Sequence, residues 1–136
     1  RLAGVPTGGL PFAALVAHKA DLPLFYTRKK EKGHGRKRAV EGILEEGDEV
    51  TVLDDISTTG GSIKEAVETV RNNKGRVENA LVMMDREEGA AENLREIGVD
   101  LHSCLKISEL IDYLEADSLI SKEDRSTILD YLGAQG

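Results

Sequence analysis

The stretch VTVLDDISTTGGS, residues 50–62, joins an apolar run to two acids and then to a series of hydroxyls and glycines. Its apolar part, residues 50–53, is short and rich in β-branched side chains, which predicts a strand buried on both faces. Asp54 and Asp55 are therefore expected at the carboxyl end of that strand. A buried strand that ends in two carboxylates needs an explanation beyond packing.

A helix is predicted directly after the glycines. Apolar side chains recur there at helical spacing, at Ile63, Ala66, Val67 and Val70. We expect Ser62 or a neighbour to cap this helix. A helix amino terminus presents free N–H groups, and glycines let a phosphate approach them. Thr58, Thr59 and Ser62 add hydroxyl donors, so the loop suits a phosphate; the alternative is an ordinary turn beside a solvated Asp pair.

Composition limits the class of protein. The 136 residues predict one domain, 1–136, and a net charge of -7 argues against a nucleic-acid partner. No long apolar stretch or signal-like start is visible, which predicts a cytoplasmic protein with no membrane partner. Cys104, the single cysteine, lies in an apolar strand pattern and is interpreted as a packing residue. The chain starts inside an apparent strand, so we expect a missing upstream segment.

Strand and helix patterns alternate along the chain, which predicts a mostly parallel α/β sheet flanked by helices. Strands are predicted at residues 1–5, 24–28, 40–44, 50–53, 77–84 and 99–107. Helices are predicted at residues 10–19, 63–70, 90–97 and 108–114, with a last helix that ends near 132. Ser121 and Asp124 form a candidate capping box for that last helix.

Ligands collect at the carboxyl ends of the strands in such a sheet, so the loops there are compared. The turn PTGG, residues 6–9, can offer N–H groups to an anion or serve only as a tight turn. The basic loop RKKEKGHGRKR, residues 28–38, holds seven of the 18 Lys and Arg residues. Glycines on both sides of His34 favour a flexible loop whose cations stabilise a departing anion. The alternative is a solvated charge run.

A further polar loop, MMDREE, follows the strand at 77–84. Arg86 can present its planar fork to a carboxylate, a task that its geometry suits better than that of lysine. A salt bridge with Asp85 or Glu88 is the alternative, and spacing alone leaves both open.

Together these loops resemble the type I phosphoribosyltransferases, and more closely the orotate phosphoribosyltransferases of pyrimidine synthesis. VTVLDDISTTGGS resembles the family motif for 5-phosphoribosyl-1-diphosphate (PRPP), and GVPTGG its diphosphate loop. RKKEKGHG resembles the flexible catalytic loop of the orotate enzymes, and MMDREEGA their segment after a strand. The resemblance covers residues 1–111, and residues 112–136 form a helical acidic tail without a recognised motif.

The resemblance implies Mg²⁺-dependent transfer of phosphoribosyl from PRPP to orotate, giving orotidine 5'-monophosphate and diphosphate. It implies that Mg²⁺ is bound mainly through the substrate, with no direct protein ligand. It also implies a homodimer in which the basic loop acts on the neighbouring subunit's site.

The resemblance further implies a role for each site residue. Asp54 and Asp55 would contact the ribose hydroxyls. The 5-phosphate would be wrapped by Ile56, Ser57, Thr58, Thr59, Gly60, Gly61 and Ser62. The diphosphate would be met by Arg28, Lys29, Lys32 and His34, and by the loop of Pro6, Thr7 and Gly8. Thr58 and Arg86 would contact orotate, and the catalytic residues would be Lys32, His34 and Asp55.

Three other functions were weighed. A PRPP-sensing regulator would need no cations for a leaving group, so the basic loop argues against it. A purine phosphoribosyltransferase acts on neutral bases, against which Arg86 argues weakly. A phosphate-binding NTPase is disfavoured because GGSIK lacks the GK[ST] order of the P-loop.

Overall fold

The computed structural model describes residues 1–28 and 39–133. The strands are β1 (Leu2–Gly4), β2 (Leu24–Thr27), β3 (Val40–Glu41), β4 (Glu49–Ser57), β5 (Arg76–Asp85) and β6 (Asp100–Lys106). The helices are α1 (Gly9–Ala20), α2 (Gly61–Asn72), α3 (Ala90–Arg95), α4 (Ile107–Ala116) and α5 (Lys122–Gly133). The predicted alternation of strands and helices is confirmed.

The six strands form one sheet in the order β3-β2-β1-β4-β5-β6. The pairs β1–β2, β1–β4, β4–β5 and β5–β6 are parallel, and β2–β3 is antiparallel. The sheet is therefore mostly parallel, as predicted, with one short antiparallel edge strand. Strand β3 contains two residues instead of the five expected.

Helices cover the sheet on both faces because successive side chains of a strand point to opposite sides. On one face, α1 packs Ala13 and Ala17 against Leu2 and Leu53. The core on the opposite face includes Ala3, Val5, Phe25, Val52, Ile63, Val67, Val70, Val82 and Leu94. The central strands are buried on both sides, which accounts for their nearly continuous apolar sequences.

Strand β4 differs from its prediction in length. It continues to Ser57, four residues beyond Leu53, so the two acids lie within the strand. The extension is held by β5, since Asp54 pairs with Val82 and Ser57 with Asp85. Backbone pairing with a neighbour overrides the low strand propensity of aspartate.

The interpretation of Cys104 as a packing residue is wrong. Cys104 is exposed on the edge strand β6, whose residues alternate between exposed and half-buried. Leu101 and Leu105 occupy the half-buried face, and Cys104 points away from it.

The predicted capping box of the last helix is confirmed. The Ser121 hydroxyl accepts the N–H of Asp124 at 3.0 Å, and the Asp124 carboxylate accepts the Ser121 N–H at 3.0 Å. The Ser121 hydroxyl also donates to the Asp124 carboxylate at 2.7 Å. This hydrogen bond most of all, and then the one from the Ser121 N–H, lower the pKa of the Asp124 carboxyl.

None of the helices in the described part of the chain has both the length and the apolar character that a membrane span requires.

Candidate active site

The site is built where β1 stops and β4 continues. Gly4, the last residue of β1, pairs with Leu53, and the Val5 N–H donates to the Leu53 carbonyl at 2.9 Å. Beyond that point β1 turns into the PTGG loop, while β4 runs on beside β5. The loop therefore reaches α1 across the ends of the strands and lies next to the acid pair.

Two glycines let this loop press against the acids. A Cβ atom at Gly8 would lie 2.1 Å from Oδ2 of Asp55. A Cβ atom at Gly9 would lie 2.8 Å from both Cα and Oδ1 of Asp54. No side chain fits at either position without displacing an acid. The diphosphate loop and the acids that resemble the PRPP motif thus form one contiguous surface.

The two acids have different environments. Asp54 is 6% exposed, and its Oδ1 accepts the Asp55 N–H at 2.9 Å. Asp55 is half-buried, and its Oδ1 accepts the Ile56 N–H at 3.0 Å. Asp55 is therefore the more accessible carboxylate of the pair, and Asp54 is mostly enclosed by the protein.

Residues 58–60 connect β4 to α2 and form the candidate phosphate loop. Gly60 precedes the helix with a φ of 81°, in the left-handed region that glycine adopts easily. The Asn93 side chain holds this loop by donating to the Thr59 carbonyl at 3.0 Å. Thr59 and Ser62 are exposed, whereas Thr58 is half-buried.

Of the predicted caps of α2, Ser62 or a neighbour, Ser62 is not the one found. The helix begins at Gly61, the N-cap residue is Gly60, and no side chain within the described residues caps it. The hydroxyls near this helix end are therefore not used as caps. A helix end of this kind suits an anion, because its first N–H groups lack intrahelical acceptors.

The placement of Ile56 and Ser57 also differs from the prediction. Both belong to β4 and precede the phosphate loop. The Ile56 side chain is 49% exposed, whereas Ser57 is 2% exposed and its hydroxyl donates to Asp85. A buried, engaged hydroxyl is a poor donor to a ligand, so the Ser57 side chain has a structural partner instead.

A cleft of about 390 Å³ opens between the ends of β1 and β2 and the first turns of α2. Its lining residues include Pro6, Arg28 and Ser62, three of the predicted site residues. Arg28 is 46% exposed, and its Nε lies 3.0 Å from the Glu41 carboxylate. The cleft is lined further by Val5, Thr27, Glu65, Ala66, Glu68 and Thr69, and the acid pair does not line it.

Arg86 lies in the turn after β5. Its N–H donates to the Ser57 carbonyl at 3.0 Å, and its guanidinium lies 2.7 Å from the Glu88 carboxylate. The salt-bridge alternative is therefore present in the structure, with Glu88 as the partner. The Arg86 side chain nevertheless remains 40% exposed. A guanidinium has five donors, so this pair leaves others for a ligand.

The sequence pointed to Asp85 only as a possible salt-bridge partner of Arg86, and it did not point to Asn93. Asp85 is 6% exposed and receives the Ser57 hydroxyl, and Asn93 holds the phosphate loop from α3. The parallel register was the available signal for Asp85, because it places the ends of β4 and β5 side by side. No comparable signal marks Asn93, which contacts the loop across 34 positions of sequence.

Two expected features of the site remain, the cations of the basic loop and a place for a metal ion. Lys29, Lys32 and His34 lie outside the described residues. In the described ranges no group of three or more His, Cys, Asp or Glu residues is arranged to hold a metal ion. Asp54 and Asp55 offer carboxylate oxygens, the donors that Mg²⁺ prefers, and so fit a cation that is also held by substrate oxygens.

Comparisons with known proteins agree with this geometry. A family model described as phosphoribosyl transferase domain matches residues 2–104. The orotate phosphoribosyltransferase of Sulfolobus acidocaldarius is 46% identical over 129 residues, which are 95% of this chain and 65% of that protein.

Two solved structures are also similar. The crystal structure of orotate phosphoribosyltransferase from Aeropyrum pernix has a TM-score of 0.78 at 44% identity, covering 84% of this chain and 64% of that one. The Mycobacterium tuberculosis orotate phosphoribosyltransferase in complex with PRPP has a TM-score of 0.68 at 32% identity, covering 80% and 63%. The chain thus spans about two thirds of the length of these relatives.

The matched region contains the acid pair, the PTGG loop, the turn with Arg86 and the sheet up to residue 104, within β6. The resemblance drawn from the motifs is therefore confirmed by the whole-domain match. The chain belongs to the phosphoribosyltransferase family, in the branch of the orotate phosphoribosyltransferases.

Proposed function

We propose that the chain carries the site for transfer of phosphoribosyl from PRPP to orotate, which yields orotidine 5'-monophosphate (OMP) and diphosphate in pyrimidine biosynthesis. The observation that carries the proposal is the contact of Gly8 with Asp55, because it joins the diphosphate loop to the acid pair. The similarity to orotate phosphoribosyltransferases, one of them in complex with PRPP, supports the choice of substrates.

The acid pair and the phosphate loop would hold the two halves of the sugar phosphate. Asp55, the accessible acid, would accept hydrogen bonds from the ribose hydroxyls, while Asp54 holds the Asp55 N–H. The 5-phosphate would lie against the first N–H groups of α2 and the hydroxyls of Thr59 and Ser62. This arrangement would hold the anomeric carbon near the acid pair and the PTGG loop.

The reaction requires no covalent nucleophile from the protein. A ring nitrogen of orotate forms a bond to the anomeric carbon as the bond to diphosphate breaks, with oxocarbenium character in the transition state. The chain's residues would act by positioning the two substrates and by stabilising the departing charge. Pro6, Thr7 and Gly8 would face the diphosphate, and Arg28 would approach it from the end of β2.

Mg²⁺ would be bound mainly through the substrate, close to the carboxylates of Asp54 and Asp55. When bound, it would neutralise charge on the departing diphosphate. Lys29, Lys32 and His34 would add cations to the same anion, reaching it from a neighbouring subunit of a homodimer. Lys32 or His34 would also be placed to supply a proton.

Arg86 would set the choice of acceptor base. Its exposed guanidinium would receive the orotate carboxylate, with Thr58 contacting the ring from the phosphate loop. Purine bases lack that carboxylate, so this contact separates the proposal from a purine phosphoribosyltransferase.

The proposal is tested by supplying PRPP, Mg²⁺ and either orotate or adenine and following nucleotide formation. The chain is assayed by itself and joined to the remaining segments of a longer relative, because it covers 65% of the Sulfolobus acidocaldarius protein. OMP formation with orotate and none with adenine is expected. Adenine turnover, or PRPP binding without turnover in both forms, would favour the purine enzyme or the regulator.

A further inference from the structure

A buried hydrogen bond joins the strand of the acid pair to the strand of Arg86. The Ser57 hydroxyl donates to Oδ1 of Asp85 at 3.2 Å, and the two residues are 2% and 6% exposed. They stand opposite each other in the last paired positions of β4 and β5. Burying a carboxylate is costly unless it is hydrogen-bonded, so the hydrogen bond from Ser57 is needed to keep Asp85 buried at the end of the strand.

The same carboxylate oxygen also shapes the turn that displays Arg86. Asp85 Oδ1 accepts the N–H of Glu87 at 2.9 Å, and Glu87 has a φ of 56°. That conformation is uncommon for a residue other than glycine. Arg86 lies between these two residues, and its own N–H donates to the Ser57 carbonyl at 3.0 Å.

The neighbouring acids have other roles. The Glu87 carboxylate accepts the N–H of Ser108 at the start of α4, at 3.0 Å. The Glu88 carboxylate lies 2.7 Å from the guanidinium of Arg86. Asp85 is therefore the carboxylate that holds the Arg86 backbone to the strand of the phosphate loop.

We propose that Asp85 is a positioning residue for Arg86. Ser57 links Asp85 to the phosphate loop, so that the distance between Arg86 and this loop stays fixed. This rests on the proposed function, in which Arg86 receives the orotate carboxylate. A fork contact depends on geometry, and small displacements weaken it strongly. The Ser57–Asp85 pair would act only through Arg86 and would touch no substrate.

The test compares affinities for OMP and for uridine 5'-monophosphate (UMP), measured by titration calorimetry. These nucleotides differ by the carboxylate alone, so the ratio of their dissociation constants reports the contact with Arg86. Loss of a hydrogen bond to a charged group corresponds to about tenfold or more. We therefore expect Asp85→Ala to lower the preference for OMP about tenfold, with UMP affinity unchanged.

Two variants separate positioning from mere stability. Asp85→Asn keeps an oxygen that accepts both hydrogen bonds, so it should keep most of the preference. Arg71→Ala serves as the control, because Arg71 donates to the carbonyls of Ile97 and Val77 far from this turn. It should lower the melting temperature and leave the OMP preference intact.

Ser57→Ala tests the same contact if the Asp85→Ala protein does not fold. It removes one of the two donors to Asp85 and leaves the Glu87 N–H in place, so it should lower the OMP preference less than Asp85→Ala does, by about threefold. Full preference in Ser57→Ala and in any folded Asp85→Ala would overturn the inference, provided that Arg86→Ala abolishes the preference. Equal affinities for OMP and UMP in the wild type would instead contradict the role proposed for Arg86.

Discussion

In the proposed function, the sugar contact depends on Asp55. It is the more accessible acid of the pair, and its carboxylate faces the diphosphate loop at Gly8. Asp55→Asn should weaken PRPP binding by about 1–3 kcal/mol, the scale of a hydrogen bond to a charged group. Calorimetry in the presence of Mg²⁺ measures the change. Asp100→Asn, an exposed acid on β6, is the matched control and should bind PRPP as the wild type does.

Replacing Arg86 should impair the reaction with orotate and hardly change the binding of PRPP. If the fork contact proposed for Arg86 tightens during the reaction, Arg86→Ala should cost about 2–4 kcal/mol of transition-state stabilisation with orotate. The affinity for PRPP should hardly change. Steady-state kinetics with each substrate varied in turn gives both numbers. Arg95→Ala removes an exposed arginine at the end of α3 and controls for the loss of a charge; equal losses in both variants would contradict the assignment.

Gly8 provides a test of the contact between the loop and the acids. Its φ of -64° and ψ of -38° are helical values that alanine adopts freely, so the backbone tolerates Gly8→Ala. The added Cβ would instead meet the Asp55 carboxylate at 2.1 Å. Displacing a positioned group by about 1 Å costs on the order of 100-fold in rate.

We therefore expect Gly8→Ala to lower OMP formation to that extent with little change in melting temperature. Gly133→Ala is the control, since a Cβ there would meet nothing within 4 Å. Wild-type rates in Gly8→Ala would separate the loop from the acid pair.

At the scale of the elements, α5 should be the helix that responds to acid. Hydrogen bonds from the hydroxyl and N–H of Ser121 hold the pKa of Asp124 below its ordinary value. A lowered pKa means that the cap contributes fully above the unfolded carboxyl value and is lost as pH falls through the folded value. Hydrogen exchange should show α5 amides losing protection in this acid range before those of α2.

The Ser121→Ala variant should move this acid transition upward, toward the ordinary Asp pKa of about 3.9. Arg125 pairs with Asp112 and Glu115 and adds an acid response of its own, so the variant and the wild type are compared at each pH. Ser126→Ala, on the same helix, should leave the transition in place. An unchanged transition in Ser121→Ala would show that the cap does not control it.

The elements themselves were predicted from local patterns, whereas their contacts were not. Runs of β-branched residues and helical spacing located the main strands and helices because those signals depend on nearest neighbours. The length of β4 depends on hydrogen bonds from β5, which no local pattern contains. Cys104 is exposed because it lies on the face of β6 opposite the half-buried one, and which face packs against the core is decided by the whole sheet.

For the candidate site as well, local patterns predicted the residues and did not predict the contacts between distant parts of the chain. Asp54, Asp55 and the hydroxyls that follow were identified from one short motif, and Arg86 from its place after a strand. The approach of Gly8 to Asp55 spans 47 positions of sequence and became visible only when β1 and β4 were paired. The Ser57–Asp85 bond depends on the register between two parallel strands.

At the scale of the whole molecule, the proposal of a shared site makes a prediction about mixed subunits. If Lys32 reaches the neighbouring subunit, a Lys32→Ala subunit and an Asp55→Asn subunit will combine into a dimer with one intact site. Mixing the two impaired proteins should raise the activity above that of either one alone, because one of the two sites in each hybrid dimer is intact.

Both variants are made in the form of the protein that shows turnover, and subunit exchange is verified by mass labelling. Two Asp55→Asn preparations mixed with each other provide the control and should show no gain in activity. No recovery in the mixed sample, with exchange complete, would place the basic loop over its own site.

The overhang of β4 has a dynamic consequence. Residues 51–53 are hydrogen-bonded between two parallel neighbours, whereas residues 54–57 are paired in the ladder with β5 alone. The segment that carries the acids is therefore the part of the strand that local fluctuations open at lower free energy than global unfolding. A bound sugar phosphate would bridge this segment to the PTGG loop, on the side where β1 has ended. Ligand should then slow amide exchange at 54–57 and leave exchange at 51–53 unchanged. Bound substrate would stabilise the part of β4 that lacks a second neighbouring strand.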